Sequence, residues 1–233
     1  MKNLRIEAVI LAIGLALTGY FVKAGIDTLA TRDRVVTVKG LAEMEVPADK
    51  VTWPLMYKSI GNDLPALYSQ IEATNQKIQA FLTSKGIDAG EISINAPEIV
   101  DLQAERYSNN DKPYRYNITT VITVTSGKVD LVRGLIASQG ELLKQGIAIS
   151  GGDYRYNVSY DYTSLNSIKP KMIEEATKNA RAAAEKFAKD SDSKLGKIKT
   201  AYQGQFSIDD RDANTPYIKK ISVVTTIDYS LED

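Results

Sequence analysis

VVTVKGLAEMEVPADKVTWPLMY, residues 35–57, is the stretch on which the fold turns. Val36, Val38, Gly40, Ala42, Met44 and Val46 alternate with Thr37, Lys39, Leu41, Glu43 and Glu45, the period of a strand with one buried and one wet face. Pro47 ends it. After Ala48, Asp49 and Lys50, the side chains of Val51, Trp53, Leu55 and Tyr57 share a face. The short turn predicts that this second strand folds back on the first as a hairpin. Pro54 cannot donate to a ladder and is expected at an edge or a bulge.

Toward the carboxyl terminus, Asn62 or Asp63 can cap a helix with Pro65 in its first turn and Leu64, Leu67, Ile71, Ile78, Phe81 and Leu82 on one stripe, stopping at Gly86. Two strands follow, at about 91–104 and 113–126, joined by the polar loop 108–112. Tyr116, Ile118, Thr120, Ile122 and Val124 line one side of the second strand, and Ser126 then caps a short helix that gives out near Gly140. Residues 147–162 alternate cleanly, with Tyr154, Tyr156, Val158, Tyr160 and Tyr162 on one face, and are read as a strand with an aromatic wall. Packing explains such a wall better than a ligand does, because tyrosine suits any half-buried pleat. Its opening, residues 154–158, nearly repeats residues 114–118, a hint of internal duplication.

A helix over 167–189 has Pro170 in its first turn and Met172, Ala176, Ala180, Ala183 and Phe187 spaced for one face, so small side chains can bring its axis close to a sheet. Arg181 and Glu185 can pair across one turn. Gly196 leads into a strand that ends in the charged loop 208–215, and Ile221, Val223, Thr225, Ile227, Tyr229 and Leu231 mark the last strand. The order is ββαββαβαββ: an α+β domain, residues 35–233, with a mostly antiparallel sheet and helices packed on it.

Toward the amino terminus lies AVILAIGLALTGYFV, residues 8–22. With Leu4 and Ile6 it reaches roughly 17 to 19 residues, about 26 to 29 Å of helix, just enough to span a hydrocarbon core of about 30 Å. Leu11, Leu15 and Phe21 belong to its apolar surface, and Ala8, Ala12 and Ala16 form a small-residue stripe. Lys2 and Arg5 precede it, which predicts a single pass in the cytoplasmic membrane with the remaining chain exported to the periplasm. An uncleaved anchor is favoured over a cleaved signal, since the run is long and only Val22-Lys23-Ala24 and Thr28-Leu29-Ala30 approximate a cleavage site. Residues 1–34 are therefore anchor and stalk.

The 233 residues hold 29 Lys plus Arg against 29 Asp plus Glu, with no His and no Cys. Balanced, interspersed charge supplies no field for phosphates and argues against a nucleic-acid partner. Without His and Cys there is no imidazole or thiolate nucleophile and no ordinary zinc or haem ligand set, so neither cofactor nor metal is expected. What remains for an enzyme is a Ser-Lys pair or a pair of carboxylates such as Glu43 with Glu45 or Asp101 with Glu105, and a solvated strand edge accounts for such carboxylates far better.

Three segments together resemble the SIMPL domain family over about residues 35–231. The run from Val36 to Ala42, followed by Val46-Pro47-Ala48-Asp49-Lys50-Val51, looks like the family's first hairpin. The alanine-rich segment 176–188, closing on Lys194-Leu195-Gly196-Lys197-Ile198, resembles its late helix, and residues 221–229 its last strand. Two departures stand out: Ala42 replaces the second glycine of the first strand, and Ala48 separates Pro47 from Asp49. The resemblance implies an extracytoplasmic domain without established enzyme activity, able to form hollow, ring-like homo-oligomers and linked to envelope or oxidative stress. It carries no catalytic residues over.

The leading expectation is thus a membrane-anchored, non-enzymatic protein whose copies assemble, with Tyr154, Tyr156, Tyr160, Tyr162, Ala176, Ala180 and Ala183 as candidate interface or packing positions. A monomeric binding module presenting the tyrosine wall or the 105–113 loop is the alternative, and a carboxylate hydrolase is a more distant one. No small-molecule ligand is identified.

Overall fold

The computed structural model describes residues 2–32, 34–104, 113–151 and 153–232; Glu105 and the loop at 108–112 lie outside them. The described chain is α+β, with antiparallel sheets. A long helix α1 (Lys2–Arg32) precedes β1 (Val35–Pro47), β2 (Lys50–Gly61), α2 (Leu64–Ser84), β3 (Ile92–Ile94), β4 (Glu98–Asp101) and β5 (Tyr116–Ser126). Then come α3 (Val129–Ala137), α4 (Gly140–Lys144), β6 (Ser159–Asp161), α5 (Leu165–Asp190), β7 (Lys194–Gln203), β8 (Ser207–Asp210) and β9 (Ile218–Glu232). The strands form two sheets, one ordered β1-β9-β7 with β8 on β9, the other β3-β5-β2-β6 with β4 on β5.

The expected hairpin of β1 and β2 is corrected by this order, because the two strands belong to different sheets. The turn between them is held from outside. Ala48 N–H donates to the Tyr217 carbonyl at 2.9 Å and Asp49 N–H to the Asp161 carbonyl at 3.0 Å. The Asp49 carboxylate accepts from Thr163 N–H at 2.7 Å, Thr163 Oγ1 at 3.0 Å and Ser164 N–H at 2.8 Å. Burial works against its charge, but the hydrogen bonds from Ser164 and Thr163 outweigh it and hold the carboxyl below its ordinary range. A turn tied down in this way passes the chain on to a new partner.

The chain divides into two units, each assembled from separated stretches: residues 1–44, 166–207 and 221–233, and residues 45–165 and 208–220. In the first, β1 buries Val38, Gly40 and Ala42 while Thr37, Lys39, Leu41 and Glu43 stay exposed, as its alternation predicts. Gly40 fits because it has no side chain. A Cβ there would stand 1.9 Å from the Ala176 carbonyl oxygen and 2.4 Å from the Ala180 nitrogen, so α5 lies backbone to backbone against the strand. Asn179 Nδ2 donates to the Leu41 carbonyl at 2.8 Å and fastens the same contact.

The buried row of α5 is Met172, Ala176, Ala180, Ala184 and Ala188. Ala183 is only half-buried and Phe187 is exposed, which corrects the expected face. A strict spacing of four follows the ridge that runs about 26° off a helix axis, whereas the expected 3–4 spacing follows the axis itself. The helix begins at Leu165, so Pro170 lies inside it rather than in its first turn. The Arg181 to Glu185 pair forms at 2.9 Å. In β9 the expected face, Ile221 to Tyr229 in steps of two, is buried, with Leu231 half-buried. Gly196 sits within β7, at a shift of register between Leu195 and Ile198, and not at a turn before the strand. β7 stops at Gln203, and residues 207–210, read as loop from their charge, form β8 on β9.

The second unit packs large side chains. Val51, Trp53, Leu55 and Tyr57 of β2 meet Leu67, Ile71, Ile78 and Leu82 of α2 and Ile118, Ile122 and Val124 of β5 in one cluster. Asp63 caps α2 by accepting from Ala66 N–H at 3.1 Å, and Gly86 ends it at φ 94° with Ile87 buried behind. Pro54 pairs Thr123 of β5 on one side. Its missing N–H faces the other side, the one on which Met56 accepts from Ser150 N–H, and β6 pairs there only as far as Thr52. The expectation of a local edge holds inside an otherwise central strand. The expected strand over 91–104 is broken into β3 and β4 by Asn95, Ala96 and Pro97.

Residues 147–162 do not form one strand. A single bridge joins Ser150 to Met56, a 3-10 turn covers Tyr154–Tyr156, and only Ser159–Asp161 pair as β6. Asp153 causes the break by accepting from Arg155 N–H at 3.1 Å and binding the Arg155 guanidinium at 2.9 Å, a local alternative to extension. Residues 114–118, the expected repeat, run instead into β5, so the two copies adopt different backbones.

Candidate functional site

Helix α1 is long and apolar enough to cross a membrane over Glu7–Ile26, a 20-residue stretch with none of its surface buried in the protein. Leu11, Leu15 and Phe21 are exposed on it, as are Ala8, Ala12 and Ala16. A helix this exposed and this apolar fits a membrane anchor or a signal sequence. It continues to Arg32, so the segment expected as a stalk is helical through that residue.

The candidate alanines divide. Ala176 and Ala180 are fully buried against Gly40 and serve packing within the chain, while Ala183 lies at the margin of the same contact. The tyrosines also separate. Tyr154 is 84% exposed, Tyr156 and Tyr162 are half-buried, and Tyr160 packs edge-on to Tyr217 at 6.2 Å, with Arg133 stacked 3.4 Å over Tyr217. There is no shared wall, because Tyr154 and Tyr156 lie in the 3-10 turn and Tyr160 in β6.

The carboxylates sit among cations. Asp101 takes two donors from Arg115, at 3.1 Å and 2.8 Å, and that pairing lowers its pKa, which unsuits it as a general acid. Glu45 faces Arg211 at 3.6 Å. Glu105 lies outside the described residues. Among those residues no group of three or more acids is placed to hold a metal.

Two surfaces stand out that the sequence reading did not single out. The first is the outward side of the β1-β9-β7 sheet. Thr37 and Thr200 both donate to Asp228, and Arg34 carbonyl accepts from Leu231 N–H at 3.0 Å. Leu41 is on the exposed side of β1 and Val224 on the exposed side of β9, and Tyr202, paired with Thr226, lies diagonal to Val224. Leu41, Val224 and Tyr202 are 47%, 37% and 69% exposed and form an apolar step in a hydroxyl-rich face.

The second surface is a groove in the other unit, between α2 and the tandem edge strands β3 and β4. One half, of about 300 Å³, is lined by Leu64, Pro65, Tyr68, Ile71, Pro97, Ile99 and Ile118. The adjoining half, of about 270 Å³, shares Tyr68, Ile71 and Pro97 and adds Glu72, Asn75, Gln76, Gln79, Ile94 and Asn95. Beneath it Tyr57 donates to Asn75 Oδ1 at 2.7 Å. Burial pushes the Tyr57 phenol up, so it stays a donor. The Asn95-Ala96-Pro97 break was the available signal, since a proline between two short strands marks an edge.

A search of curated proteins finds no match to the chain. A family profile described as SIMPL, protein of unknown function (DUF541), matches residues 36–227. That span begins at the strand carrying Gly40, takes in the Ala176 to Ala188 row that packs on it and runs into β9, so the chain belongs to the SIMPL family.

Proposed function

We propose that the protein is a membrane-anchored, non-enzymatic component of the cell envelope whose copies assemble into a closed ring through the outward face of the β1-β9-β7 sheet. The observation that carries this reading is the exposed Leu41, Val224 and Tyr202 step on a sheet whose opposite face is covered by α5 over β1 and β9, with β7 exposed on both sides. An apolar step on an open sheet face invites a neighbouring copy, and in a ring it meets a different patch of that neighbour, because a face paired with itself closes at two copies. The Glu7–Ile26 helix would hold the copies in one plane. Lys2 and Arg5 favour the orientation that exports the domain to the periplasm.

The non-enzymatic part rests on the side-chain inventory: no His, no Cys, and strand carboxylates engaged with arginines. The chain has no thiol, Met56 and Met172 are buried and Met44 is half-buried, so any part in oxidative stress is assigned to assembly. The test is light scattering of the full-length protein in detergent. The reading expects a defined multiple of 25.6 kDa that falls to one copy in Leu41→Glu and Tyr202→Glu, with circular dichroism unchanged. A monomeric wild type, or mature protein from cells that starts beyond Ile26 and leaves the membrane fraction, would overturn it.

A further inference from the structure

The groove between α2 and the β3–β4 edge has a chemistry that assembly through the other sheet does not use. Its first half is apolar, its second is lined by side-chain amides, and Glu72 is the one charge among its lining residues. β3 and β4 both pair with β5, in tandem along the same side of it, and among the described residues no strand pairs on their outer side. Unpaired backbone N–H and C=O groups therefore run along one wall. On the opposite wall the Tyr57 hydroxyl occupies Asn75 Oδ1, which fixes the amide so that Nδ2 is the part left to donate, and the described residues give it no acceptor.

We propose that this groove binds an extended, uncharged or basic peptide segment of a partner protein. The segment adds along the β3–β4 edge, seats one apolar side chain among Leu64, Tyr68 and Ile99, and places a backbone carbonyl on Asn75 Nδ2. A helix beside an open strand edge is the geometry of strand addition, in which backbone bonds give affinity and a side-chain pocket gives choice. Charge selects the class of ligand. With no cation in the lining and one carboxylate, Glu72, phosphate-bearing and acidic ligands are disfavoured, while a carbonyl-rich backbone meets Asn75, Gln76 and Gln79.

The test uses the full-length protein in detergent and fluorescent heptapeptides with Leu, Ile or Phe at the centre and Ser or Thr elsewhere, read by anisotropy. The best of them should bind in the micromolar range, tolerate Lys at its ends and lose at least tenfold in affinity when Glu replaces the Lys. Ile99→Glu should weaken binding at least tenfold, and Asn75→Asp, which keeps the acceptor for Tyr57 but removes the donor, about fivefold. Four results would each overturn the proposal: no heptapeptide binding below millimolar; binding unchanged in Ile99→Glu; competition by myristate in place of peptide; or a fall in oligomer mass in Ile99→Glu, which would give the groove to a second copy. Far-ultraviolet circular dichroism of both variants, with Tyr68→Ala as a second probe of the slot, separates lost binding from lost folding.

Discussion

Residues 45–165 enclose Trp53, Leu55, Ile78, Leu82 and Ile122, large side chains that fill the space between α2 and its sheet. In the unit of residues 1–44, 166–207 and 221–233, Gly40, Ala176, Ala180 and Ala184 bring α5 onto β1 with almost nothing between the backbones. The first kind of core is hurt by removing atoms, because a cavity is left behind. The second is hurt by adding them, because the obstacle is a backbone that cannot rotate away. Sensitivity to mutation should therefore reverse sign with size between the two units.

The largest effect should come from Trp53→Ala, which empties the centre of the large-residue core and should cost about 3–5 kcal/mol in urea unfolding followed by circular dichroism. Gly40→Ala adds a single carbon but drives it into the Ala176 carbonyl, so a loss of about 3 kcal/mol is expected, at the upper end of overpacking. A loss under about 1 kcal/mol would break the contrast. Asp49→Ala removes the acceptor of three hydrogen bonds and should cost about 2 kcal/mol at neutral pH.

That contribution has a pH signature. The folded pKa of Asp49 lies below its ordinary value of 3.8, so its stabilisation is present above that value and is lost as pH falls through the lower, folded one. Wild type should accordingly converge on the variant only below about pH 4. A gap that closes already near pH 6 would contradict the assignment. The smallest effect is expected for Ala180→Gly, about 1 kcal/mol from helix propensity alone, since removing a methyl at a backbone contact leaves no room for a cavity.

Where one face is buried and the other wet, period two is written in residue type, and β1, β2, β5 and β9 were legible for that reason. The caps of α2 were legible as well, because Asp63 and Gly86 act within a few residues of where they stand. Pairing between strands was not. β1 and β2 are joined by a short turn, yet their partners β9 and β5 are brought by long-range contacts that no local pattern records. The tyrosine alternation misled because one Asx turn at Asp153 outweighs five alternating residues.

The row on α5 was misplaced by one position at Ala183 because periodicity alone does not give the angle at which a helix crosses a sheet. The apolar step and the groove escaped notice for a related reason. Leu41 is far in sequence from Tyr202 and Val224, as Ile99 is from Tyr68 and Asn75 on α2, and only the folding of the sheets and of α2 brings each set together. Neither set carries a residue type that announces chemistry.

Because the chain has no cysteine, one introduced thiol reports on one place. The most direct test of assembly compares how fast a soluble maleimide labels Val224→Cys, on the outward sheet face, and Lys186→Cys, on the exposed side of α5, in the full-length protein as its concentration in detergent is raised. The account predicts that labelling at position 224 slows at least tenfold on concentration while labelling at 186 stays constant. Equal and unchanging rates at both positions would contradict it.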